Sequence, residues 1–103
     1  MEKGAWAAIF TSRLTDDAEG YAEVSERMEE LVRRQPGYLG HESTRDPYGS
    51  GITVSYWASE ESLKAWRDQA EHLAARKMGR ERFYEWFRLD MCRVERTYGF
   101  ERE

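Results

Sequence analysis

The sequence is poor in the residues that staple small proteins together or hold metals. Cys92 is the only cysteine among 103 residues, so neither an internal disulfide nor a cysteine-based zinc site can form. No metal site is expected, and a reducing cytoplasm is the natural compartment. No apolar run is long enough to cross a membrane. The first residues, Met1 to Trp6, lack the apolar core of a signal peptide. There is no basic excess either: the net charge is −4, which argues against nucleic acid as the main partner. P-loop, G-x-G-x-x-G and G-x-S-x-G signatures are all missing, and no Ser-His-Asp pattern is visible. Repeats and interdomain linkers are likewise missing, so residues 1–103 read as one domain. A core this small favours a partner subunit.

What is present is aromatic and strongly patterned. Aromatic residues make up 14% of the chain, with four tryptophans, which excludes a disordered chain. The organising stretch is Gly51 to Ala75. Its first part, Ile52-Thr53-Val54-Ser55-Tyr56-Trp57, is β-branched and aromatic and predicts a strand. Ser59 offers a helix cap, with Glu60 and Glu61 in the first turn. Leu63, Trp66, Ala70, Leu73 and Ala74 then recur on one helical face, and the helix is expected from about Glu60 to Met78.

The remaining elements follow from the same rules. Trp6–Arg13 predicts a strand that is apolar on both faces and therefore covered on both. Asp16–Arg34 predicts a helix opened by an Asp16/Glu19 capping box and stopped by Gln35-Pro36-Gly37. Its apolar stripe is Tyr21, Val24, Met28, Leu31 and Val32. Tyr38–Asp46 is a polar strand interrupted by Gly40, suited to an edge or a bulge. Asp46-Pro47-Tyr48-Gly49 turns it into a hairpin with Gly51–Trp57. The segment from Phe83 to Phe100 contains a long last strand. The order β-α-β-β-α-β predicts an α+β, ferredoxin-like fold: a four-stranded antiparallel sheet with both helices on one face. The other face needs cover, which predicts a homodimer with sheets packed face to face.

Several side chains invite a functional reading beside a bland one. Trp57, Trp66 and Trp86 can wall a pocket for a planar aromatic ligand, or simply fill the core. His72 can serve as an acid/base group, yet on a regular helix it lies opposite the Leu63/Trp66 stripe unless the helix kinks near Asp68. His41 carries the same chemistry on a polar strand. Arg76, Lys77, Arg80 and Arg82 can hold an anionic substituent, or complement a helix C-terminus. Ser12 is a hydroxyl near the end of the first strand, and Cys92 reads as a small buried hydrophobe.

Four segments together carry a family resemblance: Gln35-Pro36-Gly37-Tyr38-Leu39-Gly40; Ile52 to Ser59; Ala65-Trp66 with Ala70-Glu71-His72; and the closing Arg93-Val94-Glu95-Arg96. Across nearly its whole length the chain resembles the antibiotic biosynthesis monooxygenase superfamily. The resemblance implies a dimeric α/β barrel assembled through the sheets. It also implies one of several functions. One is cofactor-independent oxidation of a small aromatic compound by O₂ in the pocket between sheet and helices; joined to the residue reading above, this makes Trp66, Ser12, Arg76, Trp57 and Trp86 the candidates around the substrate, with His72 or a water taking its proton. Another is haem binding and degradation, for which that branch uses an Asn, a Trp and a His. Trp66 matches the Trp, while Ser12 stands at the Asn position and Arg76 at the His position. A third is non-catalytic small-molecule binding by a stress protein.

Overall fold

The computed structural model describes residues 4–72 and 82–102, with side chains for all of these except 70–72. Six elements follow one another: β1 (Trp6–Leu14), α1 (Tyr21–Val32), β2 (Tyr38–Arg45), β3 (Ser50–Trp57), α2 (Glu60–His72) and β4 (Tyr84–Arg93). The strands form one sheet in the order β2-β3-β1-β4, with every neighbouring pair antiparallel. This is the expected ferredoxin-like α+β arrangement, with apolar β1 at the centre and polar β2 at an edge.

The sheet has two unlike faces. Register places Trp6, Ala8, Phe10 and Ser12 of β1 beside Trp57, Ser55, Thr53 and Gly51 of β3, and all of these lie on the helix-covered side. The core is here: Ala8, Val32, Trp57 and Leu63 are buried together, with Trp6, Tyr38, Trp66 and Met91 packed around them. Trp57 is completely buried, and its indole N–H donates to Ser55 Oγ at 2.9 Å, so the core holds no orphaned donor there. The opposite face carries Ile9 and Thr11 of β1, Ile52, Val54 and Tyr56 of β3, and Trp86 of β4. Ile52 and Trp86 are exposed on it. Thr11 Oγ1 is buried there without a hydrogen-bond partner.

Local signals explain most boundaries. At the start of α2, the Ser62 N–H donates to Ser59 Oγ at 3.1 Å, so Ser59 caps the helix as its chemistry suggests. Gly37, with φ of +81°, ends the turn after α1, and a Cβ on it would lie 2.5 Å from Ser62 Oγ. Only glycine suits that turn, because it sits directly on the first turn of α2. The interruption at Gly40 is a register shift between Tyr38 and Gly40 on the edge strand.

Four expectations need correction. Helix α1 begins at Tyr21, not Asp16, behind Gly20 in the left-handed region and with no side-chain cap. Glu19 faces Arg82 at 3.8 Å instead of closing a capping box. The helix start is set by tertiary contacts, since the Tyr21 ring packs edge-on against Phe83 and Tyr84. The helix also ends at Val32 rather than Arg34, two residues sooner than proline alone requires. Cys92 is exposed, because it lies on edge strand β4 opposite Ala7, on the face without helices. The long last strand expected within Phe83–Phe100 is present as β4, which stops at Arg93 where its sheet partner β1 runs out. The expected extension of α2 to Met78 lies outside the described residues.

Candidate ligand pocket

A cavity of about 290 Å³ opens between the sheet and the helices, within the usual size class for small-molecule sites though at its lower end. Its floor is the covered sheet face, with Ala8, Phe10, Ser55 and Leu89. Helix α1 supplies one wall through Tyr21, Val24, Met28 and Val32, the stripe that the 3.6-residue period picks out. Helix α2 supplies Leu63, Trp66 and Arg67. Trp66 lies nearly parallel to the buried Trp57, with centroids 6.3 Å apart and planes 22° apart. The core indole thus backs the pocket indole and fixes its plane.

Two polar groupings interrupt this apolar lining. The first is His41 on β2, whose side chain is only 10% exposed. Its Nδ1 shares a 2.6 Å hydrogen bond with the Tyr38 hydroxyl, and its Nε2 lies 3.7 Å from Glu29 Oε1. Both His41 and Glu29 line the cavity. An imidazole between a phenol and a carboxylate can accept a proton and have the resulting charge balanced in place.

The second grouping sits where β1, α1, β2 and β4 meet. Arg45, four residues along the same face of β2 from His41, donates from Nη1 to the Gly49 carbonyl at 2.6 Å and from Nη2 to Ser12 Oγ at 2.7 Å. Nη2 also reaches the Tyr21 hydroxyl at 3.2 Å. Tyr84 stands beside Tyr21, and its hydroxyl is held protonated: burial raises its pKa, and the neighbouring Tyr21 raises it further both by charge and by hydrogen bonding, against a lowering by Arg45. Tyr84 reaches this face through an irregularity in the β1–β4 ladder. The register shifts between Arg13 and Leu14, so Glu85 is the extra residue between Trp86 and Tyr84. The bulge turns Tyr84 to the same side as Phe87.

With the geometry in hand, sequence and structure comparisons agree on kinship. The sequence profile described as "Antibiotic biosynthesis monooxygenase" matches residues 10–78. The chain belongs to the antibiotic biosynthesis monooxygenase family. YqjZ of Bacillus subtilis (strain 168), an uncharacterized protein, is 43% identical over 96 residues, covering 93% of this chain and 84% of that protein. Among solved structures, SnoaB, a cofactor-independent oxygenase from Streptomyces nogalater, superposes with a TM-score of 0.75 at 14% identity, covering 91% of this chain and 96% of its own. Rv0793 from Mycobacterium tuberculosis gives 0.77 at 14% identity, covering 92% and 99%. At such identities these likenesses speak for the fold alone.

Within this family fold, the residues singled out from sequence are dispersed. Trp66 lines the cavity. Trp57 lies beneath it in the core, and Ser12, 1% exposed, gives its hydroxyl oxygen to Arg45 rather than to the cavity. Trp86 is 48% exposed on the sheet face away from the helices. The side chain of His72, and Arg76, Lys77 and Arg80, fall outside what the structure describes; Arg82 pairs with Glu19. Sequence reasoning passed over Tyr21 as a polar group, Glu29, Arg45 and Tyr84. For Arg45 one signal was available: the alternation along β2 places it on the same face as His41 and Ser43.

Proposed function

We propose that this protein is a cofactor-independent monooxygenase that binds a small aromatic compound between the sheet and the helices and oxidises it with O₂. The observation that carries the reading is the aromatic cavity itself: an apolar slot walled by Trp66, with one imidazole, His41, held on its wall between Tyr38 and Glu29. A planar, electron-rich substrate stacks on the indole. A histidine removes the proton from its activated carbon, and the carbanion passes an electron to O₂. The radical pair joins as a C–O bond, and the hydroperoxide loses water to leave a carbonyl, so that a CH₂ group plus O₂ becomes C=O plus H₂O. His41 and His72 are the two histidines available for the first step.

Oxygen uptake with a panel of quinols and anthrones tests the reading. One O₂ consumed per substrate oxidised is expected, with a loss of at least tenfold in His41→Gln or in His72→Ala, whichever is the base. Binding of the panel without any uptake would favour a non-catalytic binding protein. The haem reading fits the described residues poorly. Ser12 is shut away behind Arg45 and the cavity is at the small end of its class; in the sequence, outside the described residues, Arg76 stands where the haem-degrading branch has its histidine. Titration with hemin is expected to leave the Soret band unshifted. A shift that disappears in His72→Ala would reverse that judgement.

We further infer a homodimer formed by the helix-free sheet faces. The exposed Ile52 and Trp86 and the unpartnered buried hydroxyl of Thr11 support it. With a lone cysteine and no described helix long and apolar enough to cross a membrane, a cytoplasmic setting is the matching expectation.

A further inference from the structure

Three oxidisable rings stand in series from the cavity wall to the edge of the sheet. Trp66 borders the cavity. Trp57 is stacked on it with centroids 6.3 Å apart, and Tyr38 meets Trp57 edge-on at 5.9 Å. Such separations are those of rings in contact, so nothing but ring edges and faces lies between one and the next. Trp57 is fully buried, while Tyr38 is half-buried at the start of edge strand β2 and outside the cavity lining. The series therefore leads away from the pocket, through the core, towards solvent.

Indole and phenol are the aromatic side chains that give up a single electron most readily, and each becomes a strong acid once it has done so. Where the proton can go then decides where the missing electron settles. At Trp57 the proton has no destination: its N–H donates to Ser55 Oγ at 2.9 Å, and a serine hydroxyl is no base at neutral pH. At Tyr38 it has one, because the phenol hydroxyl lies 2.6 Å from His41 Nδ1. An imidazole with its proton on Nε2, facing Glu29 Oε1 at 3.7 Å, offers the Nδ1 lone pair to that O–H. Once the proton has crossed, the carboxylate balances the imidazolium. Tyr21, on the cavity wall, is the contrast: its hydroxyl accepts from Arg45 Nη2 at 3.2 Å, and a guanidinium takes up no proton.

We propose that Trp66, Trp57, Tyr38 and His41 form a relay that draws a one-electron oxidising equivalent out of the pocket and holds it as a tyrosyl radical at the sheet edge. This goes beyond the monooxygenase reading and does not depend on which histidine takes the substrate proton. The oxidant is an organic peroxyl radical, the species formed when a carbon radical meets O₂. Trp66 gives it an electron, and the resulting peroxide anion takes a proton from water to leave as a hydroperoxide. Trp57 refills Trp66, Tyr38 refills Trp57, and the phenol proton passes to His41 Nδ1. In sum, a peroxyl radical, a water, the Tyr38 phenol and the His41 imidazole become a hydroperoxide, a hydroxide, a tyrosyl radical and an imidazolium. Ascorbate in solution then returns an electron to Tyr38, His41 returns the proton, and the proton that ascorbate releases neutralises the hydroxide.

Pulse radiolysis with the azide radical, a one-electron oxidant that prefers indole, tests the relay in the full-length protein. The exposed Trp86, Tyr48 and Tyr98 are first replaced by Phe so that the oxidant does not spend itself on them. The absorbance of the indolyl radical is expected to decay as that of a tyrosyl radical grows, at a rate independent of protein concentration and slower in D₂O than in H₂O. Tyr38→Phe should abolish the tyrosyl signal and leave the indolyl radical long-lived. His41→Gln, which keeps the ring partner but removes the base, should slow the transfer about tenfold or more. Trp57→Phe should do the same, with circular dichroism to confirm its fold; should that variant not fold, His41→Gln and Tyr38→Phe decide the matter. A tyrosyl signal that survives in Tyr38→Phe, that grows in proportion to protein concentration, or that is indifferent to His41→Gln overturns the proposal. Substrate and oxygen uptake play no part in the readout, so failure of the relay and failure of the monooxygenase reading are seen separately.

Discussion

The two faces of the sheet solve different problems with the same strands. On the covered face, Ala8 and Trp57 are sealed by Val32 and Leu63 of the helices, and the space the helices leave open becomes a pocket with His41 and Glu29 on its wall. On the other face, Ile9, Ile52, Val54 and Trp86 meet no helix at all, and the only unpartnered buried hydroxyl among the described residues, Thr11, is found there. Alternation along β1 makes both faces apolar, so the strand by itself does not distinguish a core from an interface. The distinction comes from what the connections place above each side. Two right-handed crossovers put both helices on one side and leave the other without a helix.

Substitutions at paired positions can break this contrast. The largest effect is expected from Trp57→Ala on the covered face. Removing a fully buried indole should cost about 3–5 kcal/mol, read as a lower urea midpoint with an unchanged slope. On the open face, Val54→Asp, opposite Ile9, should leave the fold of the chain intact while weakening self-association by at least about 100-fold, or about 2.7 kcal/mol. Sedimentation should then show one chain where the parent shows two. A parent that sediments as a single chain at micromolar concentration would sink the interface reading.

The pocket end of the covered face has a pH signature. The Tyr84 pKa is raised in the folded state above its ordinary value of about 10. The unfolded chain therefore loses this proton first as pH rises, so the stabilisation is complete below pH about 10 and is lost as pH climbs towards the folded value. Tyr84→Phe should flatten that alkaline loss, by up to about 1.4 kcal/mol per pH unit in denaturation curves. Smallest is Ser59→Ala, which removes the cap that starts α2 and should cost about 1 kcal/mol by the same denaturation measurement without changing the pocket.

Much of this architecture is legible in the sequence because its causes are local. The Ser59 cap, the Pro36-Gly37 stop, the Asp46–Gly49 turn and the alternation of β1 and β3 each act within a few residues, and they mark the strands β1, β2 and β3, the end of α1 and the start of α2. What escaped depends on contacts distant in sequence. The start of α1 is set by Tyr21 against Phe83 and Tyr84, sixty residues away, and not by the acidic residues before it. The bulge at Glu85 follows from the β1 ladder, and only through it does Tyr84 face the cavity. Strand β2 reads as polar and peripheral, which is true of its place in the sheet. Yet the same polarity delivers His41 and Arg45 to the covered face, His41 to the cavity wall and Arg45 to a hydrogen bond with Ser12.

The Trp57–Trp66 pair gives the molecule a gauge of its own. Two indoles 6.3 Å apart and 22° from parallel are close enough for their electronic transitions to mix, and the mixing depends steeply on separation and angle. One ring is anchored in the core and the other borders the cavity, so only the second can answer to an occupant. A molecule sliding against Trp66 would rotate one oscillator against a fixed reference. The occupancy of the pocket would then be written in the ultraviolet dichroism of the protein itself, with no label attached.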